Sequence, residues 1–279
     1  MEIKKLFISI DIEGVEGLSD VFEANSNDKR YKPELMEEHI KMVLDEVFDL
    51  FDVEKVVVAD SHALGTNLSY NFYDDPRVFH IKGAPRLYYM MTGISSEFDA
   101  AFFLGYHSGA NAPGGVLNHT YAGAVVHRIS INGKTVNEAI LNSGVAGYFN
   151  VPVVFISGDD YLKEECDVLR ERGTRFLITK NAIGRYSALM KSRSLLKKEL
   201  REILEDIKSS NRSEFKPFSF EKPFEIEIEM HHPHMAELCS FIPQVERKGS
   251  HTVVYRDDDY LNIYNMLIAL TRLAASTLR

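Results

Sequence analysis

Four short apolar runs punctuate the first 160 residues, and each ends in a polar cluster. Leu6–Ile12 is rich in β-branched residues and predicts a buried strand. Lys55–Ala59, Ala100–Gly105 and Val151–Ser157 repeat the pattern. Residues 33–51 carry helical periodicity between the first two runs, with Pro33 at the start, where its missing N–H costs nothing. Strands alternating with helices predict a mostly parallel sheet covered by helices. Residues 123–136 break the alternation: two alternating runs flank Asn132-Gly133, the signature of a type I′ β-hairpin. Asn137 then predicts the cap of a helix over Glu138–Phe149.

The pattern changes downstream. Ser192–Ile207 reads as a charged amphipathic helix, followed by a polar break at 209–213 and by Pro217 and Pro223. A strand at Phe224–Met230, a strand at Thr252–Tyr255 and a helix at Tyr260–Ser276 complete the chain. The expected fold class is therefore α/β: a mostly parallel sheet with flanking helices and a β-hairpin insertion, plus a smaller C-terminal α+β domain. The expected division is residues 1–184 and 185–279.

Charge and cysteine usage narrow the function classes. A formal net charge of −9 argues against nucleic acid as the main partner, because phosphate binding needs clustered Lys and Arg. The one basic stretch, Lys191–Arg201, is interleaved with Glu199 and reads as a solvated helix face. No run of 18 or more apolar residues occurs, so no membrane-spanning helix is expected. The first apolar run stops at Asp11 and Glu13 and reads as a strand rather than a signal peptide. Cys166 and Cys239 stand far apart outside any CxxC pattern, which fits reduced thiols and a cytoplasmic protein.

Ligands of open α/β sheets bind at the carboxyl ends of the strands. The first predicted strand ends in Asp11-Ile12-Glu13, the second in Asp60-Ser61-His62 and the third in Gly105-Tyr106-His107. Alternate strand residues point the same way, so Asp11 and Glu13 can converge. Two carboxylates and two imidazoles suit zinc, and Glu138 is the best candidate for a further carboxylate in a dinuclear site. Crowded buried carboxylates are unfavourable unless a cation or proton offsets them. Each residue alone has a plainer reading as a cap or surface group, and the carboxylate pair could hold a helix N-terminus or a ribose. The tract His231-His232-Pro233-His234 reads as a loop or pocket wall in preference to a ligand cluster, and residues 111–115 (NAPGG) as a mobile loop lining the site. Asp159 and Asp160 are expected to cap the helix after the fourth strand. Dinucleotide, P-loop and esterase-elbow motifs are absent.

The runs ISIDIEGVEGLSD, VVVADSH, FFLGYHSGANAPGGVLNHTYAG and INGKTVNEAILNSGVAGYFNVPVVFISGDD, in that order, resemble the DppA-type zinc D-aminopeptidases, peptidase family M55. The resemblance is dense over residues 6–160 and thinner beyond. It implies Asp11 as a bridge between two zinc ions, Glu13 and His62 completing one, His107 and Glu138 completing the other, and His119 as the catalytic histidine. It also implies two zinc per chain, with manganese or cobalt as possible substitutes, and a homodecamer of two stacked pentameric rings. The expected reaction is cleavage of short peptides with an N-terminal D-residue, such as D-Ala-D-Ala, by water activated at the dinuclear site. The loop between His107 and His119 is one residue longer than the family pattern, which bears on the substrate more than on the metals. The alternatives are a dinuclear-metal phosphoesterase and a non-catalytic peptide-binding module.

Overall fold

Twelve strands form two sheets in the computed structural model, which describes residues 1–278. The strands are β1 (Lys5–Ile10), β2 (Lys55–Asp60), β3 (Val78–Ile81), β4 (Ala100–Tyr106), β5 (Val126–Ile131), β6 (Lys134–Thr135), β7 (Val153–Asp159), β8 (Arg175–Gly184), β9 (Ser187–Met190), β10 (Phe224–Met230), β11 (Glu246–Lys248) and β12 (Thr252–Asp257). The α-helices are α1 (Val21–Ala24), α2 (Pro33–Leu50), α3 (Glu138–Tyr148), α4 (Asp160–Glu165), α5 (Asp167–Arg170), α6 (Arg193–Ser209), α7 (Pro233–Cys239) and α8 (Tyr260–Ala275). The first sheet has the order β3-β2-β1-β4-β7-β8-β9 and is parallel except for the β8–β9 pair. The second has the order β11-β12-β10-β5-β6 and is antiparallel. The fold is thus the expected α/β class.

Alternation along β1 decides what each face does. Leu6, Ile8 and Ile10 face one apolar cluster, with α2 and α6. Phe7 faces the other, shared with α3, α7, α8 and the inner face of the second sheet. Full burial of such side chains stabilises by about 1.5–3 kcal/mol each, so both faces are held firmly and the strand's register is fixed. The same parity puts Ser9 on the α3 side, where its hydroxyl bonds Tyr106 Oη at 2.7 Å and Ser61 Oγ at 2.8 Å.

The Asn132-Gly133 hairpin forms as the period-2 pattern predicts, with both residues at positive φ (51° and 77°). It does not join the parallel sheet: β5 pairs antiparallel with β10 and becomes part of the second sheet. The expected division between residues 184 and 185 falls within the turn of the paired β8–β9 hairpin. Helix α6, beyond that point, packs on α2 and β8 of the first sheet. The change of sheet along the chain therefore follows α6, and β5–β6 crosses it in the other direction. Local periodicity gives hairpins and helices but not the partner sheet, which is set by long-range packing.

Three further differences have local causes. Strand β1 stops at Ile10, and Asp11–Glu13 lie in the turn beyond it, where Asp11 N–H donates to Leu104 O and Gly14 N–H to Gly105 O, both at 2.8 Å. The His231–His234 tract is not a loop throughout: Pro233 occupies the first turn of α7. Among the described residues, neither group of side chains able to hold a metal ion includes these histidines. Strand β8, a run interrupted by Thr179-Lys180-Asn181 and absent from the expected elements, lies in the sheet between β7 and β9.

Gly105 is where the strand ends are brought close. Its φ is +64°, and a Cβ there would lie 2.3 Å from Asp11 O and 2.7 Å from a methyl of Val15. Gly105→Ala is expected to destabilise the protein by about 2–4 kcal/mol, from left-handed strain plus the clash. Urea unfolding of the two proteins measures this, and a loss below about 0.5 kcal/mol would contradict it.

Candidate metal centre

The carboxyl ends of β1, β2 and β4 deliver Asp11, Glu13, His62 and His107 to one point, and the first residue of α3 adds Glu138. His62 Nδ1 lies 3.1 Å from Asp11 Oδ1 and 3.2 Å from Glu13 Oε2. His107 Nε2 lies 3.4 Å from Asp11 Oδ2 and 3.5 Å from Glu138 Oε1. Asp11 thus presents one oxygen to each imidazole. Donor atoms of Asp11, Glu13 and His107 lie within 4.8 Å of one another, and so do those of His107, His119 and Glu138. Asp11, Glu13, His107 and Glu138 are buried, while His62 and His119 are half-buried.

Each histidine is oriented by a backbone carbonyl. His62 Nε2 donates to Ala24 O at 2.7 Å, His107 Nδ1 to Ser108 O at 3.0 Å, and His119 Nδ1 to Leu117 O at 2.9 Å. These bonds leave His62 Nδ1 and His107 Nε2 as the nitrogens turned to the carboxylates, and His119 Nε2 without a backbone partner. Tying the remote N–H of an imidazole in this way is how metal-ligating histidines are held. Ala24 ends α1, which begins with a reciprocal cap between Asp20 and Glu23. Glu138 is set by Asn137, whose side chain accepts from Ile140 N at 3.0 Å and caps α3, and by Tyr121 N–H, which donates to Glu138 Oε1 at 2.6 Å.

The loop 108–119 is fastened at several points. His119 N–H donates to Ser108 O at 3.2 Å, Val116 N–H to Asp159 Oδ2 at 2.8 Å, and Leu117 N–H to Arg185 O at 2.9 Å. The Arg185 guanidinium bonds both the backbone and side-chain oxygens of Asn118. Asp159 also caps α4 through Leu162 N. The glycines of residues 111–115 suggested mobility. The residues just beyond them, Val116–Asn118, are anchored by partners in β7 and the β8–β9 turn, far away in sequence.

Charge balance is the dominant feature of the site. Burial works against a charged imidazole at His107, but Glu138, Asp11 and Glu13 outweigh it and raise its pKa to about 10. Burial likewise opposes charge at His62, and Glu13 and Asp11 again prevail, raising it well above the ordinary range. Glu13 is held well below the usual carboxylate range by His62, against its burial. Glu138 is pushed up, chiefly by burial and in part by Asp11. His119 is the opposite of its neighbour: burial, then the positive His107, pushes it down to about 4. Its ring stacks on that of His107 with centroids 4.2 Å apart and planes 5° from parallel. Two buried atoms of the cluster, Glu13 Oε2 and His107 Nε2, make no hydrogen bond among the described residues. A carboxylate oxygen and an imidazole nitrogen left without hydrogen bonds in a buried acidic cluster are the donor set that a zinc-type cation accepts.

Sequence reasoning missed the group that supports this cluster from below. Lys180, fully buried in β8, donates to Glu13 O at 2.6 Å, Val15 O at 2.8 Å and Leu18 O at 2.6 Å. All three ammonium protons are used, and they pin the turn that carries Glu13. Burial lowers its pKa to about 8, with Asp159 and Glu13 opposing. The available signal was a lysine at the centre of an otherwise strand-like run.

The chain matches the family model described as "Peptidase_M55: D-aminopeptidase" over residues 4–269. It belongs to this D-aminopeptidase family. A D-aminopeptidase of Bacillus subtilis (strain 168) is 31% identical over 280 residues, covering 98% of each chain. A solved structure described as "Zn-dependent D-aminopeptidase DppA from Bacillus subtilis, a self-compartmentalizing protease" superposes with a TM-score of 0.89 at 29% identity, covering 99% of each chain. Membership places the enzyme among peptidases rather than phosphoesterases. Among the described residues no helix is long and apolar enough to cross a membrane.

Imidazoles whose pKa is raised keep their protons until the pH climbs towards the raised value, so at pH 7 a cation entering this cluster must displace them. Metal binding is therefore expected to release about two protons per chain and to tighten as pH rises from about 6 to about 9. Titration calorimetry in buffers of different ionisation enthalpy reads the proton count. Zero net release would show that the imidazoles are not the groups the metal engages.

Proposed function

We propose that this chain is a zinc-dependent D-aminopeptidase that removes the N-terminal D-residue from short peptides such as D-Ala-D-Ala. The observation that carries this reading is the buried convergence of Asp11, Glu13, His62, His107 and Glu138, with Glu13 Oε2 and His107 Nε2 lacking hydrogen bonds. In this reading Asp11, Glu13 and His62 would hold one zinc ion, and Asp11, His107 and Glu138 a second. Manganese or cobalt could substitute, since carboxylate and imidazole donors suit all three. Bound zinc would supply Lewis acidity, polarising the scissile carbonyl and acidifying water.

The chain's own residues supply the rest. His119 is neutral at pH 7, and its Nδ1 proton is committed to Leu117 O, so Nε2 is a proton acceptor at the edge of the cluster. It accepts the proton of the attacking water and returns it to the leaving amine. Stacking on His107 keeps the ring from turning away. Beside His62 opens a cavity of about 370 Å³, walled by Tyr89 and Tyr121 and by Ile268 of α8, which suits a peptide of a few residues. His62, whose Nδ1 lies 3.1 Å from Asp11 and 3.2 Å from Glu13, joins the cavity to the cluster, so the substrate's free amine would enter the cluster past that imidazole. In this reading the protein is cytoplasmic and acts as a homo-oligomer, with the decamer of two pentameric rings as the expected assembly. Its catalytic unit is residues 1–184, with 185–279 as the smaller unit.

Asp11→Asn is expected to reduce zinc from about two per chain to well below one and to abolish release of D-alanine from D-Ala-D-Ala. His119→Ala is expected to retain zinc while kcat falls on the order of 100-fold or more. Metal analysis of the purified variants alongside D-alanine release separates the two roles. A His119→Ala enzyme working at near-native rate would remove that residue from the mechanism.

A further inference from the structure

The cavity beside the cluster has one feature that metal chemistry leaves unexplained. Its outer wall carries Arg272, in the last turn of α8, and no Asp or Glu lines it. Among the described residues, the Arg272 guanidinium makes no ion pair and no side-chain hydrogen bond; its recorded contact is with the Tyr89 ring, 5.4 Å from the centroid. Arg86, in the neighbouring groove, behaves differently. It spends its donors on backbone, with Nε bonded to Tyr89 O at 2.8 Å, Nη2 to Asp60 O at 2.5 Å and Nη1 to Gly83 O at 3.1 Å. In a chain with a net charge of −9, an uncommitted guanidinium on a pocket wall without a carboxylate is a local exception.

Tyr89 links that cation to the cluster. Tyr88 and Tyr89 both adopt positive φ, 58° and 38°, a conformation that costs L-residues energy and is kept where it places a side chain. The Tyr89 hydroxyl donates to Ala63 O at 2.8 Å, next to His62, and its ring lies 6.1 Å from that of Tyr121, whose N–H holds Glu138. One wall therefore runs from the ligand cluster through Tyr121 and Tyr89 to Arg272. A substrate lying along it would place its amine beside His62, which touches Asp11 and Glu13, at one end and its far terminus beside a guanidinium at the other.

We propose that Arg272 binds the C-terminal carboxylate of the substrate, so that the enzyme selects very short peptides with a free carboxyl end over their amides and over longer chains. The planar guanidinium pairs with a carboxylate through two parallel charge-assisted hydrogen bonds, which an amide cannot accept in the same way. Arg272 acts in specificity and takes no part in bond breaking. This inference rests on the peptidase reading above.

The test uses the zinc-loaded enzyme with D-Ala-D-Ala and with the C-terminal amide of the same dipeptide, both carrying a free amine. The wild-type protein is expected to favour the acid in kcat/KM by on the order of ten-fold or more, with most of the difference in KM. In Arg272→Gln the acid-to-amide ratio falls to near one, and in Arg272→Lys, which keeps the charge but loses the planar fork, it is intermediate. Because the two substrates are compared on the same preparation, loss of folded enzyme cancels from the ratio. A ratio that is the same in wild type and Arg272→Gln, or a wild-type preference for the amide, overturns the assignment while leaving the peptidase reading in place. Hydrolysis of neither substrate by the metal-loaded wild type overturns that reading and this inference with it.

Discussion

Three carboxylates and three imidazoles share one buried volume at the ends of β1, β2 and β4, and the structure depends on their charges balancing. Burial works against the ionised forms of Glu13 and Glu138 there. His62 and His107 supply the compensating positive charge in the protein as described, and both carry strongly raised pKa values as a result. A divalent cation does the same with the protons gone. The cost falls on His119, which is kept neutral by burial and by the positive ring stacked on it. One electrostatic arrangement therefore separates two kinds of histidine: His62 and His107, which face the carboxylates and are raised, and His119, which is lowered.

That balance would be of little use if the turns carrying the ligands could move. Below the cluster a polar network ties five segments together: Ser9 of β1, Ser61 after β2, Tyr106 of β4, Asn142 of α3 and Tyr264 of α8. Asn142 Nδ2 donates to Tyr106 Oη at 2.8 Å, and its Oδ1 accepts from Tyr264 at 2.6 Å and from Tyr121 at 3.0 Å. Buried polar networks stabilise only when their members are satisfied. On the other side, His39 of α2 joins Glu16 at 2.6 Å and Ser157 at 2.8 Å, and Ser157 Oγ accepts from Gly105 N at 3.0 Å. Lys180 completes the frame beneath Glu13. These groups touch no substrate, yet they fix the positions of the ones that would.

The sequence made the ligand strands readable because their chemistry is local. A short continuous apolar run ending in Asp-x-Glu, or in a histidine, states both the strand and the place where its side chains emerge, and three such runs in a parallel sheet emerge on one edge. The Asn132-Gly133 turn and the Asn137 cap were legible for the same reason. What was not legible depends on partners distant in sequence. Nothing in residues 126–135 says that β5 pairs with β10, because either sheet would accept its alternation. Lys180 looks like an interruption of a strand until Glu13, Val15 and Leu18 are placed above it. Val116–Asn118, beside the glycine-rich stretch, give no sign of being fixed until Asp159 and Arg185 are seen to hold them. Tyr89 and Arg272 carry no local signal at all, since an arginine in the last turn of a helix is ordinary.

The second sheet explains why the chain continues beyond the ligand-bearing unit. It contributes none of Asp11, Glu13, His62, His107 or Glu138. Its inner face is covered by α7 and α8, and α8 in turn packs on α3, the helix whose first residue is Glu138. Tyr260 Oη donates to Leu141 O at 2.8 Å, and a Cβ at Gly144 would collide with the Tyr260 ring at 2.6 Å, so the two helices meet closely. That contact lays the C-terminal half of α8, with Ile268 and Arg272, along the open side of the cluster as a cavity wall. The cavity is thus walled from both parts of the chain, by Tyr89 and Tyr121 on one side and by α8 on the other. Changes on the outward turns of α8 can reshape the pocket while the buried charge balance at the strand ends stays as it is.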